Sequence, residues 1–453
     1  DLADNISATP SDGQLDAGQN ADSSPAITFT FDNTKPLARV YLPAAYANTP
    51  TLAAISGTSA DLGPAPAGVT AMEFKLRRSD GFWWGPLNDW AAPPEPAFSN
   101  VTSGLPYSTW NKTIGAGNKL ENGYLYEATG RATDGAGNVE TALTTHTFIV
   151  DLTTPVARVS LPAHDGSANA TLTQIQGTAD DRKCALPAES EAGCPGTAAV
   201  NFQSGLSSAS IEVALQESSG AYWVGGGSTF TASVPVWSTA AFVGDSSGVW
   251  TWAFGSANLV SPRQYKVSTR VRFDRAGNFQ VVYATNAFIY DTSKPVSLAT
   301  APVGAQGSIN TIVGTAQDTA PGSLDLVLLS IREEACGGTP CNVGEYWNGV
   351  GAGWKGTEFF LASGTVTGEA AGIDGNENGL CEPGETCAWS FDATGVAWDN
   401  KSTFTVVARA RDQAGNVKDL PGSRELSFYL ETPAPVVNVA QPPLVGGLPQ
   451  YQS

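Results

Sequence analysis

The sequence predicts an all-β protein made of three tandem β-sandwich domains. The phrase Asp-x-Ala-Gly-Asn occurs at Asp134–Asn138, Asp274–Asn278 and Asp412–Asn416. A strand-like run that ends in an acid and precedes a proline recurs every 119 to 140 residues, which suits one autonomous domain per period. The 453 residues include 49 glycines and 29 prolines and contain no long helix-forming run, as is typical of short strands joined by turns.

Each period contains the same elements in the same order. A first strand follows the linker, and a second strand ends in a shared Gly-Thr phrase: ISGTSAD, IQGTADD and IVGTAQD. A third strand leads to a hairpin with an aromatic cluster, a later strand runs into the Asp-x-Ala-Gly-Asn turn, and a last strand ends the period. Their alternation of apolar and polar residues predicts strands with one buried face. About seven short strands per period predict an immunoglobulin-like sandwich.

The predicted domains span residues 28–150, 151–290 and 291–431, between a polar tail at 1–27 and a proline-rich tail at 432–453. Two further strands lack a domain: Thr28–Phe31 reads as a last strand, and Val436–Ala440 as a first strand. Either the chain was cut from a longer array, or an end strand completes a neighbouring subunit by strand exchange. The tail at 1–27 has the composition of a disordered segment. The start at Asp1 predicts a mature protein or an excised segment.

Charge and cysteine usage indicate an extracellular or cell-surface location. Only 24 basic residues oppose 43 acidic ones, which argues against a nucleic-acid partner. No apolar run approaches the roughly 20 residues of a transmembrane segment. With two histidines in the chain, zinc sites are excluded, and three local disulfides are expected instead, which persist in an oxidising compartment. The expected pairs are Cys184 with Cys194, Cys336 with Cys341, and Cys381 with Cys387.

Sandwich topology predicts that three acids of each domain meet at one pole. The linker, the end of the second strand and the Asp-x-Ala-Gly-Asn turn should all lie at the pole nearest the preceding domain. Three carboxylates in one place repel one another unless a cation or hydrogen bonds compensate, and Ca²⁺ takes six to eight oxygens. The alternative is turn chemistry alone, because Asp and Asn bond their own backbone in turns. The sets are Asp32, Asp61, Asp134 and Asn138; Asp151, Asp180 or Asp181, Asp274 and Asn278; and Asp291, Asp318, Asp412 and Asn416.

A second calcium prediction concerns the loop 374–385, which matches the twelve-position EF-hand loop without flanking helices. Glycine stands at its sixth position, and Cys381 and Cys387 bracket its end. The alternative is an acidic surface loop that binds nothing. The expected ligands are Asp374, Asn376, Asn378, the carbonyl of Leu380, Glu382 and Glu385.

An enzyme is not expected. His146 and His164 lie in different repeats without partner motifs, and neither a nucleophile elbow nor a phosphate loop is present. Glycan binding is the stronger rival, since exposed tryptophans can stack on sugar rings. Of twelve tryptophans, those at equivalent hairpin positions should be buried, whereas Trp84 and Trp90 are the candidates for an exposed patch.

The order of these phrases resembles the bacterial immunoglobulin-like (Big-type) domains of large extracellular adhesins and giant surface proteins, over about residues 28–440. The resemblance implies a non-enzymatic stalk, spacer or fibre subunit, with calcium at domain junctions as in some adhesin repeats. Its partners would be neighbouring domains or identical subunits. The alternative is an adhesin segment that binds a glycan or a surface receptor through exposed aromatics. These repeats exceed the usual length of about 100 residues, which predicts loop insertions.

Overall fold

A computed structural model describes most of the chain between residues 31 and 432. In these residues every regular element is a β-strand, as the sequence predicts. Among them there is no helix that could span a membrane. The described residues are 31–49, 52, 54–85, 89–102, 104, 106–114, 120–182, 202–225, 229–254, 259–339, 341–362, 365–369, 381–420, 426–432, 444–445 and 448–449.

In its described residues, sandwich 1 contains ten strands in two sheets. One sheet has the order β1-β3-β8, and the other has the order β2-β10-β9-β4-β5-β6, with β7 also paired to β4. The strands are β1 (Leu37–Leu42), β2 (Tyr46–Ala47), β3 (Ala54–Ala60), β4 (Val69–Arg78), β5 (Trp83–Trp84), β6 (Trp90–Ala91), β7 (Ser99–Asn100), β8 (Thr109–Thr113), β9 (Tyr124–Asp134) and β10 (Thr145–Val150).

Sandwich 2 repeats this plan with one more strand. Its sheets have the orders β11-β13-β19-β18 and β12-β21-β20-β14-β15-β16, with β17 paired to β14. The strands are β11 (Val156–Leu161), β12 (Gly166–Ala168), β13 (Gln174–Asp180), β14 (Ile211–Glu217), β15 (Tyr222–Trp223), β16 (Phe230–Ala232), β17 (Ser238–Thr239), β18 (Ala241–Gly244), β19 (Ser247–Ala253), β20 (Arg263–Val271) and β21 (Ala284–Tyr290).

Sandwich 3 has the same topology as sandwich 2. Its sheets have the orders β22-β24-β30-β29 and β23-β32-β31-β25-β26-β27, with β28 paired to β25. A short separate pair, β33 (Leu444–Val445) with β34 (Leu448–Pro449), follows. The strands of sandwich 3 are β22 (Val296–Ala301), β23 (Gly304–Gln306), β24 (Thr311–Gln317), β25 (Leu324–Cys336), β26 (Tyr346–Trp347), β27 (Trp354–Lys355), β28 (Leu361–Ala362), β29 (Thr365–Glu369), β30 (Thr386–Asp392), β31 (Ser402–Asp412) and β32 (Leu426–Leu430).

The chain divides into two compact units. One contains the described parts of residues 1–44, 51–119 and 126–148, and the other contains those of 45–50, 120–125 and 149–453. Sandwiches 2 and 3 therefore lie in one unit, together with three short segments of sandwich 1, within 45–50, 120–125 and 149–150. The proposed strands Thr28–Phe31 and Val436–Ala440 lie outside the described residues, except for Phe31.

A tryptophan packed over a glycine forms the centre of each sandwich. The glycine of the Gly-Thr phrase pairs directly with this tryptophan on the next strand: Gly57 with Trp110, Gly177 with Trp250, and Gly314 with Trp389. All three indoles are at most 2% exposed. A Cβ at any of the three glycines would overlap both the indole and a carbonyl oxygen of the first strand. The glycine is thus required by packing, which explains why the phrase recurs.

Two of the three expected disulfides are confirmed. Cys336 is bonded to Cys341 after β25, and Cys381 is bonded to Cys387 at the start of β30. Cys184 and Cys194 lie outside the described residues. Each bond closes a short loop of sandwich 3, so neither joins the two sheets.

We expect Gly314→Ala to destabilise sandwich 3 by about 1–3 kcal/mol, the usual cost of overpacking a filled core. The new methyl group would collide with the Trp389 indole and the Leu298 carbonyl. Calorimetric unfolding of the full chain measures the effect. Gly307→Ala is the matched control, because a Cβ there meets no atom within 4 Å. Equal unfolding temperatures for both variants would contradict the packing argument.

Candidate metal centres

Three aspartates converge at one pole of each sandwich, and we call these groups pole sites 1, 2 and 3. In each site the three residues place one carboxylate oxygen each within 4.8 Å of one another. The first comes from the linker, the second from the end of the second strand, and the third from the Asp-x-Ala-Gly-Asn turn. Pole site 1 contains Asp32, Asp61 and Asp134; pole site 2 contains Asp151, Asp181 and Asp274; pole site 3 contains Asp291, Asp318 and Asp412.

Asp181, and not Asp180, supplies the second carboxylate of pole site 2. The Asp180 side chain turns outward at the end of β13 and forms an ion pair with Arg182 at 2.6 Å. Asp181 is 1% exposed and faces Asp151 and Asp274. Because successive residues of a strand point to opposite faces, only one of the two neighbours can enter the site.

The turn holds its aspartate and the linker together through one asparagine. In pole site 2, Asn278 Nδ2 donates to Asp274 Oδ2 at 2.8 Å and to the Asp151 carbonyl at 2.9 Å. The Asn278 backbone N–H donates to Asp274 Oδ1 at 2.8 Å. Gly277 has a φ of 98°, a left-handed conformation that favours glycine. Turn chemistry, the alternative to calcium, is therefore present in full.

The other two turns form the same contacts. Asn138 Nδ2 donates to Asp134 Oδ2 at 2.8 Å and to the Asp32 carbonyl at 3.0 Å. Asn416 Nδ2 donates to Asp412 Oδ2 and to the Asp291 carbonyl, both at 2.8 Å. In each pole site the turn thus bonds one carboxylate and the backbone carbonyl of the linker aspartate.

The backbone of the linker aspartate is also hydrogen-bonded to a short strand of the sandwich before it, β2 or β12. The Asp151 N–H donates to the Ala47 carbonyl, and the Asp291 N–H donates to the Ala168 carbonyl, both at 2.8 Å. Asp151 and Asp291 therefore each contribute the backbone to one sheet and the carboxylate to the next pole site. A ligand bound at the carboxylates would act on both.

The residue directly after the linker acid donates its N–H to a polar side chain at the far end of the preceding sandwich. The Leu152 N–H donates to Asn122 Oδ1 at 2.9 Å, and the Thr292 N–H donates to Ser261 Oγ at 2.7 Å. The Thr432 N–H donates to Asn400 Oδ1 at 2.7 Å. The linker path is therefore defined by hydrogen bonds on both sides of each acid.

The second carboxylate distinguishes the three sites. Asp61 accepts the Gly68 N–H at 2.9 Å, and Asp181 accepts the Gly205 N–H at 2.8 Å. At pole site 3 the buried atom Asp318 Oδ2 has no hydrogen-bond partner among the described residues. Asp291 Oδ2 has none either, because the Gly322 N–H, which corresponds to the Ser204 N–H that binds Asp151, donates instead to the Thr319 carbonyl at 2.8 Å.

Pole site 3 therefore has the donor set that best fits a cation. A Cβ on Gly322 would overlap both unpaired oxygens, so these oxygens converge beside the glycine. Asp291 is fully buried and Asp318 is 4% exposed. Pole sites 1 and 2 each have one such atom, Asp61 Oδ1 and Asp181 Oδ1. Buried carboxylate oxygens without donors are costly, and a hard cation is the ligand that would satisfy them.

The pKa values of the pole-site carboxyls depend on how deeply each site is buried. Burial, together with the charges of Asp151 and Asp274, raises the pKa of Asp181 to about 8. Burial, with the charges of Asp291 and Asp412, raises the pKa of Asp318 to about 6. By contrast, backbone donors lower the pKa of Asp32, which lies in the more open pole site 1. A cation at either buried site would therefore have to compete with a proton.

Only the end of the EF-hand-like loop lies in the described part of the chain. Asp374, Asn376, Asn378 and Leu380 lie outside it. Glu385 Oε2 accepts the Glu382 N–H at 3.0 Å and so closes a short turn inside the Cys381–Cys387 loop. Calcium binding at 374–385 stays a prediction.

The proposed aromatic patch at Trp84 and Trp90 is wrong. Trp84 is 5% exposed, and Trp90 packs edge-on against it with ring centres 5.3 Å apart. The strand register explains the error: Trp83 pairs with Arg77 as Tyr346 pairs with Arg332, so Trp84 is the equivalent of the buried Trp347. Two adjacent tryptophans in one strand point to opposite faces, and the inner one is the core residue.

No protein-family model and no curated protein matches the sequence. Among solved structures, the chain is similar to one described as a bacterial ice-binding adhesin in a study of its retention on the host cell surface. The identity is 14% over 88% of this chain and 97% of that chain, with a TM-score of 0.29.

Two further similarities are to the FN1–FN3 domains of chicken CNTN1 and to a tetra-tandem repeat from the extending region of a large adhesion protein. The first has 10% identity over 88% of this chain and 99% of that chain, with a TM-score of 0.30. The second has 17% identity over 87% of this chain and 73% of that chain, with a TM-score of 0.24. The fold assignment itself depends on the strand order described above.

In the presence of a chelator, we expect the stability of the protein to fall as the pH rises. The folded state raises the pKa of Asp181 from 3.8 to about 8, so its contribution is fully present below about pH 4 and is lost as the pH passes 8. Asp181→Asn should reduce the slope of unfolding temperature against pH, measured by calorimetry between about pH 5 and 8.5. Asp180→Asn is the control and should leave it unchanged. The same slope in wild type and Asp181→Asn would contradict this assignment.

Proposed function

We propose that this protein is a non-enzymatic, extracellular structural protein, a stalk, spacer or fibre subunit built of tandem immunoglobulin-like sandwiches. The observation that carries the proposal is the linker aspartate, whose backbone is bonded to one sheet while its carboxylate belongs to the next pole site. A joint built in this way restricts rotation between the elements that it connects. Proline after the linker restricts it further, as at Pro155 and Pro295.

Calcium is the cation that the pole sites suit best. Each offers three carboxylates, and the acidic chain favours divalent cations. The unpaired oxygens of Asp291 and Asp318 support pole site 3 as the strongest of the three. Calcium there would replace the proton that the raised carboxyl pKa values favour. The loop 374–385 is proposed as an additional calcium loop on the residue pattern alone.

We expect calcium to raise the unfolding temperature relative to chelator at matched ionic strength. A ligand that binds only the folded state at 100 times its Kd contributes about 2.7 kcal/mol per site. Asp318→Asn should remove a large part of the shift. The control is Asp419→Asn, which removes a carboxylate that is 80% exposed. The calcium proposal is wrong if wild type unfolds at the same temperature in both buffers.

A second candidate function, binding of a glycan or receptor, is favoured by one exposed strip on sandwich 2. The segment Phe279–Tyr283 follows the turn, and its Val281 and Val282 are 69% and 80% exposed. Phe273, on the other side of the turn, is 48% exposed. Within the segment only the polar Gln280 is buried, and clustered exposed apolar groups of this kind are typical of contact surfaces.

If this strip binds sugar rings, wild type should be retained on some members of a panel of immobilised glycans. Phe279→Ala combined with Tyr283→Ala should then lose that retention, because the aromatic faces are removed. Val350→Ala is the control, since Val350 is 83% exposed on sandwich 3. Retention of the double variant at wild-type level would exclude this strip as the glycan-binding surface.

A further inference from the structure

The other end of sandwich 3, where β25 ends and β31 begins, contains an acidic residue without its expected positive partner. Strand register identifies the equivalent residues in sandwich 2. Glu217 pairs with Tyr265 across β14 and β20, as Glu333 pairs with Phe404 across β25 and β31. Two residues before the aromatic stands Arg263 in sandwich 2 and Ser402 in sandwich 3.

In the other sandwiches the charge at this position is compensated. Arg263 Nη1 binds Glu217 Oε2 at 2.5 Å in sandwich 2. Sandwich 1 has Arg78 at the equivalent position, and Arg78 binds Asp80 at 2.7 Å. An ion pair therefore closes this end of both sandwiches.

Sandwich 3 retains the acid and lacks the arginine. Glu333 and Ser402 are both fully buried. In the described part of the chain, Glu333 forms no ion pair, and neither Glu333 Oε1 nor Ser402 Oγ has a hydrogen-bond partner. A buried carboxylate without a partner is strongly unfavourable unless it is neutralised.

A second acidic residue, Asp399, lies beside Glu333 where a positively charged residue would be expected. Burial and then the neighbouring Asp399 raise the pKa of Glu333. Asn342 holds one oxygen of each acid: its N–H donates to Glu333 Oε2 at 2.7 Å, and its Nδ2 donates to Asp399 Oδ2 at 2.6 Å. The remaining oxygens are therefore available to a ligand, and Asp399 is 9% exposed at the edge of the site.

We propose that a calcium ion binds between Glu333 and Asp399, with Ser402 Oγ as a further ligand, in place of the arginine that sandwich 2 uses. Two carboxylates and a hydroxyl are hard oxygen donors, which suit calcium and offer nothing to a soft metal. The ion would fasten Asn342, which directly follows the Cys336–Cys341 loop, to the turn before β31. This site is independent of the pole sites, which lie at the opposite ends of the same strands.

Equilibrium dialysis of the full chain against calcium measures the number of ions bound. Ser402→Arg supplies the guanidinium that Arg263 supplies in sandwich 2, and it should lower the count by one while the protein stays folded. Glu333→Gln combined with Asp399→Asn should lower it by the same amount and covers the case in which the arginine does not fit. Ser308→Arg, on an exposed loop of sandwich 3, is the matched control.

Amide hydrogen exchange gives a local measurement. Calcium should slow exchange in residues 337–345 of wild type and leave it unchanged in Ser402→Arg. A full calcium count in both altered proteins would overturn the proposal and leave a proton shared by Glu333 and Asp399 as the explanation. Asp318→Asn distinguishes calcium binding at pole site 3 from calcium binding between Glu333 and Asp399, because it removes a carboxylate of pole site 3 only.

Discussion

The architecture of each joint depends on one asparagine side chain. Its amide donates to the turn aspartate and to the linker carbonyl, for example from Asn278 to Asp274 and Asp151. These two bonds fix where the linker starts, and the first strand, the pole site and the packing of the next sandwich follow from that position. A cation at the carboxylates would therefore strengthen a geometry that hydrogen bonds already define, because Asp151 is held through both its N–H and its carbonyl.

The order of the elements could be predicted from the sequence because each repeated phrase has a local physical cause. Glycine in the Gly-Thr phrase is required by a tryptophan that lies on a distant strand, as Gly177 is by Trp250. The phrase was visible, but its cause was not, since pairing between distant strands leaves no local pattern. The same limit explains the error at Trp84, where only the register shows which of two neighbouring tryptophans points inward.

The composition of the pole sites was partly predictable for a similar reason. Topology brings the ends of particular strands together, so the acids at these ends could be named. It could not choose between Asp180 and Asp181, because that depends on the residue at which β13 ends. Nor could it show that Gly322 turns its N–H away from pole site 3. By contrast, an alignment of the repeats shows from the sequence alone that Ser402 stands where sandwich 2 has Arg263. Only the burial of Glu333 shows why this difference matters.

The division of the linker aspartate between two neighbours has a consequence for how such a chain could lengthen. A duplicated segment reproduces a working joint only if it carries the linker acid together with the strand end and turn that receive its carboxylate. Residues 151–290 form such a segment, beginning at Asp151 and ending before Asp291. A copy that began within the first strand would separate Asp151 from Asp181 and Asp274. The segment that must be duplicated as a whole is therefore the sandwich together with the linker aspartate before it.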